Sequence, residues 1–139
     1  MNVNRIFVYG TLKRGFPNYN NTLPGLVYRG IARTRKAYPL VVTAPLNVPV
    51  LILKPGEGHV VSGELFDVSD AGLDWLDDLE DVHRPGGYKR VEMFVIPDDT
   101  GLALPAQTWV KVPEDVGEIL RGPMAEYEPD PAYIPPHLR

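Results

Sequence analysis

Residues 73–82, LDWLDDLEDV, set five carboxylates among three leucines and a tryptophan. Read as a helix at about 100° per residue from Leu73, the stretch puts Leu76 near ~300°, Leu79 near ~240° and Trp75 near ~200°. Asp70, Asp74, Asp77, Asp78 and Asp81 gather between roughly 40° and 140°, a coherent polar face. Glu80 does not join them. It lands near ~340°, between Leu73 and Leu76 on the apolar side. A carboxyl there loses hydration, its pKa rises, and it becomes suited to proton transfer near neutral pH. The same position allows a plainer fate, in which Glu80 at the helix end reaches water or pairs with Lys89 or Arg90.

A second stretch with chemical potential is VYGTLKRG, residues 8–15. Gly10 permits close backbone approach to a ligand, and the N–H groups that follow form a nest for a carboxylate or a developing oxyanion. It lacks the Gly-Lys-Ser/Thr ending of a phosphate loop and the GxGxxG spacing. Taken alone, it is equally an ordinary strand-to-loop junction. Lys13 and Arg14 are able to meet a substrate carboxylate, although a solvated loop accounts for them as well. Glu64 in GELFDV reads either as a second pocket acid or as half of a buried structural pair.

The elements that must position these groups are short, because 15 prolines and 13 glycines segment the chain. RIFVYG, LVYRGIART, YPLVV, VPVLILKPGEG, HVVSGELFDV, YKRVEMFVI and AQTWVKV read as strands. SDAGLDWLDDLED is the one strong helix, capped by Ser69 or Asp70 with acids in its first turn. From about residue 113 the chain becomes a proline-rich tail with at most one short helix around EDVGEIL. Many strands and one clear helix predict a single α+β domain over 1–139, its sheet curled into a barrel.

Composition narrows the function. The 139 residues carry a net charge of -4 with scattered basic side chains, which is no nucleic-acid footprint. The amino terminus shows no apolar leader and no stretch is long enough to span a bilayer, so a cytoplasmic protein is expected. The Asn20-Asn21-Thr22 sequon reads as chance on that basis. There is no cysteine. Only Ser62 and Ser69 are available as serine nucleophiles, and neither sits in a G-x-S-x-G elbow. His59, His83 and His137 lack the spacing of a helical zinc motif and read as turn or surface residues.

The ordered set FVYGTLKRG, GELFDV, LDDLED and GYKRVEMFV resembles the γ-glutamylcyclotransferase-like superfamily. KRGFPN, YPLVV and NVPVL resemble its γ-glutamylamine cyclotransferase branch, related to plant avirulence-induced-gene-type proteins. The likeness runs from about Ile6 to Val110 and stops at the tail. It implies a small mixed β-barrel flanked by helices, with a small-molecule γ-glutamyl substrate in a cavity at one end. Tyr9, Gly10, Thr11 and Leu12 would hold the γ-glutamyl unit through backbone groups, Glu80 would be the catalytic acid, and Tyr88 would line the pocket. Arg90 would brace structure. Where related enzymes carry a tyrosine in the last core strand, this chain reads TWVKV.

The implied reaction is attack by the substrate's own α-amino group on the γ-carbonyl, releasing 5-oxoproline and an amine without metal or organic cofactor. A binding module that keeps the fold and pocket without turnover is the alternative. The leaving group follows from charge. A γ-glutamyl-α-amino acid brings a carboxylate beside the scissile nitrogen, and a buried unpaired charge is costly. With no cation but Lys13 and Arg14 near the loop, γ-glutamylamines such as ε-(γ-glutamyl)-lysine are the expected substrates. Exhaustive chelation is expected to leave 5-oxoproline release unchanged; a loss restored by zinc or manganese would overturn that expectation.

Overall fold

The computed structural model describes residues 3–139; Met1 and Asn2, where the amino-terminal reading begins, lie outside the described residues. Among the described residues the chain forms β1 (Val3–Val8), β2 (Val27–Tyr38), β3 (Leu40–Thr43), β4 (Val48–Leu51) and β5 (His59–Ser69). There follow α1 (Asp70–Leu79), β6 (Lys89–Pro97), β7 (Leu104–Val110) and β8 (Ile119–Met124). Strands β1, β5, β2, β6 and β7 close into a barrel in that order, while β4, β3 and β8 make a separate three-stranded sheet. Barrel neighbours are antiparallel except β1 and β7, whose parallel pairing at Ile6 and Gln107 closes the ring. The chain is thus an α+β mixed barrel, as expected, with one α-helix among the described residues.

The register of β1 explains why RIFVYG is apolar at every position from Ile6 to Tyr9. Successive side chains of a strand point to opposite faces. Phe7 and Tyr9 enter the barrel interior with Leu40, Leu51, Val61, Leu65, Met93 and Val95, while Ile6 and Val8 face outward. Those outward residues meet Phe66, Val68 and Trp109 and are covered by Leu73 and Leu76 of α1. Burying each of these two leucines contributes roughly 2 kcal/mol. On β2, register shifts against β5 between Tyr28 and Gly30 and between Arg33 and Ala37 bend the strand around the barrel.

Helix α1 starts where its sequence says it should. Ser69 is the N-cap, its hydroxyl accepting from the Gly72 N–H at 3.3 Å, and Asp70 lies in the first turn where the helix dipole favours an acid. Its end is a Schellman closure. Glu80 caps the helix, the Asp81 N–H donates to the Asp78 carbonyl at 3.2 Å, and the Val82 N–H donates to the Asp77 carbonyl at 3.1 Å. Asp81 therefore takes φ +55°, the left-handed conformation that glycine adopts without steric cost.

Two readings of the helical wheel need correction. Asp77 was placed on the polar face, yet it is buried, because the apolar stripe runs past Leu73 far enough to include it. Its carboxylate accepts from Trp109 Nε1 at 2.9 Å and from Arg90 Nη1 at 2.9 Å, which supplies the partners burial demands. Trp75, placed on the apolar side, is 42% exposed at the stripe's far edge.

The tail also departs from expectation. EDVGEIL forms no α-helix: Pro113–Asp115 is a single 3₁₀ turn, and β8 pairs with β3 from Leu40 to Thr43. Tyr127 is fully buried in the barrel core beside Phe16, their ring centroids 5.9 Å apart. The proline-rich segment is structural, and the three-stranded sheet is incomplete without it.

The helix closure yields a stability prediction. Asp81→Gly removes a side chain from a left-handed position at the loss of only a solvent-facing contact to Arg84 at 3.7 Å, where Asp81 is half exposed. It should raise unfolding free energy by about 0.5–1 kcal/mol. Urea unfolding should show a higher midpoint at constant slope; a lower midpoint would overturn the assignment.

Candidate active site

Glu80 is delivered to its place by the end of α1. The buried stripe of Gly72, Leu73, Leu76 and Asp77 fixes the helix's rotation, and Glu80 falls near the middle of that stripe one turn later. There the barrel no longer covers it, and a cavity of about 350 Å³ opens. Glu80 lines this cavity together with Tyr9, Gly10, Thr11, Leu12 and Tyr88. All six residues singled out from the sequence thus share one pocket. Glu80 does not pair with Lys89 or Arg90; Arg90 is committed to Asp77.

Burial pushes the Glu80 carboxyl up to about 7, Asp81 adding to the rise while Arg139 and Lys111 work against it. The main-chain carbonyl of Glu80 accepts from the Tyr88 N–H at 3.1 Å, so the loop after the helix folds back over it. Gly87 makes this return possible, since a Cβ there would run into the Asp81 carbonyl.

The 9–12 loop forms the opposite wall. Gly10 passes so close to β4 that an added Cβ would lie 2.7 Å from Pro49 Cγ, which is the close approach the glycine was expected to serve. Among the described residues no acceptor engages the N–H groups of Gly10, Thr11 or Leu12. The loop is held from behind instead. The Lys13 N–H donates to the Gly10 carbonyl at 3.1 Å, and the Asn18 N–H donates to the Thr11 carbonyl at 2.9 Å. Asn18 Nδ2 donates further to Thr11 Oγ1 at 2.9 Å and to the Tyr133 hydroxyl at 2.6 Å.

Both tyrosines face the cavity with their hydroxyls already committed. Tyr9 donates to the Trp109 carbonyl at 2.7 Å and accepts from the Leu51 N–H at 3.2 Å. Tyr88 donates to the Pro49 carbonyl at 2.6 Å. Burial, reinforced by the nearby Glu80, drives both phenols far above their ordinary range. They shape the pocket as neutral groups, leaving Glu80 as the member of this set that titrates near neutrality.

Lys13 and Arg14 do not reach the cavity. Lys13 is buried, not solvated: its Nζ donates to the Tyr127 carbonyl at 2.9 Å and lies 4.4 Å from the Phe16 ring centroid, and desolvation holds its pKa below the usual lysine range. Arg14 stacks on Tyr28 and sits beside Glu64, whose carboxylate accepts from the Arg14 N–H at 2.8 Å. Of the two readings of Glu64, the structural pair is the one the fold adopts. His59, His83 and His137 are exposed.

The cavity has further walls that the sequence reading missed. Trp109 and Lys111 line it from β7 and its extension, and Asn18, Tyr133 and Arg139 line it from loop and tail. The strand reading TWVKV therefore does contribute, through two residues that period-two alternation puts on one face. Asn18 closes KRGFPN and carried a signal of its own. Tyr133 and Arg139 lie in an irregular segment whose spacing announces nothing.

The family model for gamma-glutamyl cyclotransferase, AIG2-like, matches residues 6–128. A mouse (Mus musculus) gamma-glutamylaminecyclotransferase is 45% identical over 94 residues, 65% of this chain and 62% of the relative. The human (Homo sapiens) gamma-glutamylaminecyclotransferase is 40% identical over 94 residues, 65% of this chain and 60% of the relative. The matched part of the chain thus spans about three fifths of these curated relatives' length. A crystal structure of an aig2-like protein from Mus musculus superposes with a TM-score of 0.74 at 32% identity, covering 94% of this chain and 99% of the other. With the family model matching residues 6–128 of the 139, the chain belongs to the gamma-glutamyl cyclotransferase, AIG2-like family.

Proposed function

We propose that this protein cleaves γ-glutamylamines by intramolecular cyclisation, releasing 5-oxoproline and a free amine. The observation that carries this reading is the Glu80 carboxyl, pushed by burial to a pKa of about 7 in a cavity that it shares with residues 9–12, whose Gly10, Thr11 and Leu12 N–H groups no acceptor engages among the described residues. A γ-glutamyl amide brings its own nucleophile, so the protein needs to supply orientation, a proton carrier and charge stabilisation. Glu80 takes a proton from the substrate's α-ammonium, and the freed amine attacks the γ-carbonyl carbon. The N–H groups of Gly10, Thr11 and Leu12 face the oxygen that becomes negative. As the bond from the γ-carbon to the leaving nitrogen breaks, Glu80 delivers a proton to that nitrogen and takes up the second proton of the attacking nitrogen, which it then passes to the free amine to give 5-oxoproline and an ammonium. No water is consumed, and no residue is acylated.

The choice of γ-glutamylamines rests on the names of the similar mouse and human proteins and on the cavity's walls. Pro45, Leu46, Val48 and Pro49 offer apolar contact suited to methylenes. Release of 5-oxoproline from ε-(γ-glutamyl)-lysine, faster than from α-linked γ-glutamyl-lysine, tests the reading directly. A module that only binds would retain both compounds and release neither.

Glu80→Gln should remain folded and lose about 10²–10⁴-fold in kcat; near-normal turnover in the folded variant would remove Glu80 from its role. For the parent, kcat/KM should fall about tenfold per pH unit below a midpoint near 7, where Glu80 becomes protonated. The same shift has a stability sign. An unfolded glutamate titrates near ~4.3, so between about pH 4 and 7 the folded state holds a proton that the unfolded chain releases, and stability falls as pH rises. Glu80→Gln should therefore unfold at a higher temperature than the parent at pH 8, by about 1–2 kcal/mol of stability, the difference vanishing below about pH 4. Scanning calorimetry at both pH values measures it.

A further inference from the structure

Two hydroxyls of the cavity hold a hydrogen that nothing in the protein accepts. Thr11 and Tyr133 are both buried and both line the cavity, and Asn18 lies between them. The Asn18 amide nitrogen carries two hydrogens and spends both. One goes to Thr11 Oγ1 at 2.9 Å and the other to the Tyr133 hydroxyl at 2.6 Å. Each hydroxyl is thereby an acceptor toward Asn18. Among the described residues no group accepts the hydrogen that each still has to give.

Tyr133 is fixed by its neighbours in the tail. Its N–H donates to the Asp130 carbonyl at 3.1 Å, and the Asp130 carboxylate accepts from Arg121 Nη2 at 2.8 Å. The next N–H, that of Ile134, donates to the Leu46 carbonyl at 3.0 Å. Asn18 is fixed from the other side, its own N–H donating to the Thr11 carbonyl at 2.9 Å. Loop and tail together hold the Tyr133 hydroxyl one amide nitrogen away from Thr11. The N–H of that same Thr11 belongs to the set at Gly10, Thr11 and Leu12 that no acceptor engages among the described residues.

In the cyclisation, the atom whose demand for donors rises most is the γ-carbonyl oxygen, which turns negative as the amine attacks. A donor already fixed beside it costs no reorganisation at that moment. We propose that Tyr133 is a catalytic residue of this reaction, its hydroxyl donating a hydrogen bond to the γ-carbonyl oxygen beside the 10–12 N–H groups, and that Asn18 is the positioning residue that keeps this hydroxyl a donor toward the substrate. No proton is transferred from the hydroxyl, and no bond to it forms or breaks. The inference rests on the cyclotransferase reading and adds to it a side-chain donor supplied by the tail.

Tyr133→Phe keeps the buried ring and deletes the donor. With ε-(γ-glutamyl)-lysine as substrate, at a pH above the Glu80 midpoint, kcat should fall about 10²-fold while KM stays within about twofold. Calorimetry on Glu80→Gln, with and without Tyr133→Phe, should give affinities for the same amide within about twofold, since the interaction strengthens only in the transition state. Asn18→Ala should also lower kcat more than it raises KM. The Asn18→Ala, Tyr133→Phe double variant should be no slower than the slower single variant, as two residues acting through one hydrogen bond require. If Tyr133→Phe does not fold, the Asn18→Ala split between kcat and KM decides alone. An undiminished kcat in folded Tyr133→Phe would overturn the assignment and leave the cyclotransferase reading intact. A raised KM at unchanged kcat would overturn it as well, because the hydroxyl would then serve a group whose charge does not change. A parent that turns over no γ-glutamyl amide rejects the cyclotransferase reading, and the role of Tyr133 with it.

Discussion

A carboxyl that is buried enough to be desolvated and yet lines an open cavity constrains the rest of this molecule. Glu80 meets that demand by standing one turn beyond the last covered residues of an amphipathic helix, where the buried stripe continues but the barrel wall does not. Had the helix run on, its own next turn would have filled the space. The left-handed Asp81 and the two hydrogen bonds of the Schellman closure stop it at that point. Rotation of the helix is equally fixed, because Asp77 is tied to Trp109 and Arg90 from β7 and β6. An acid with two good donors anchors the helix so that a second acid, three residues later, can go without a strong partner.

The other wall of the pocket depends on a different economy of hydrogen bonds. Residues 10–12 line the cavity with N–H groups that no acceptor engages among the described residues, while the Gly10 and Thr11 carbonyls and the Thr11 hydroxyl are claimed by Lys13 and Asn18. Lys13 in turn reaches away from the pocket to the Tyr127 carbonyl, and Asn18 to Tyr133. The 9–12 loop is thereby held by the tail, and the tail by the loop. Removing the tail would strip a buried lysine of its acceptor as well as opening the mouth of the cavity, a compound loss that falls on folding before it falls on binding.

How much of this was legible follows from where the chain is periodic. The barrel strands and α1 announced themselves through alternation and through a 3.6-residue stripe, and Glu80 stood out because it broke a pattern strong enough to break. Asp77 was misread for the same reason: a wheel gives angles but not the width of the covered sector, and an acid with two donors lies comfortably inside it. The fate of Lys13 could not be read, since burial of a lysine depends on an acceptor 114 residues away. β8 shows the limit most plainly. Its residues are nearly all exposed, with no alternation to detect, and what makes it a strand is the edge of β3 that it covers. Tyr133 and Arg139 reach the pocket through irregular backbone, where spacing carries no direction.

The double-sided packing of β1 separates the molecule into parts with different tolerance for change. Phe7 and Tyr9 fill the barrel while Ile6 and Val8 seat the helix, so one strand couples the interior to the layer that carries Glu80. A substitution there disturbs the barrel interior and the seating of Glu80 together. The segment from 130 to 139 has a different character: it is irregular, fastened at Asp130, Tyr133 and Ile134, and brings Tyr133, Pro136 and Arg139 to the cavity. A substitution in the tail that keeps the Asn18–Tyr133 bond can therefore change a wall of the cavity while the barrel that seats α1 stays as it is.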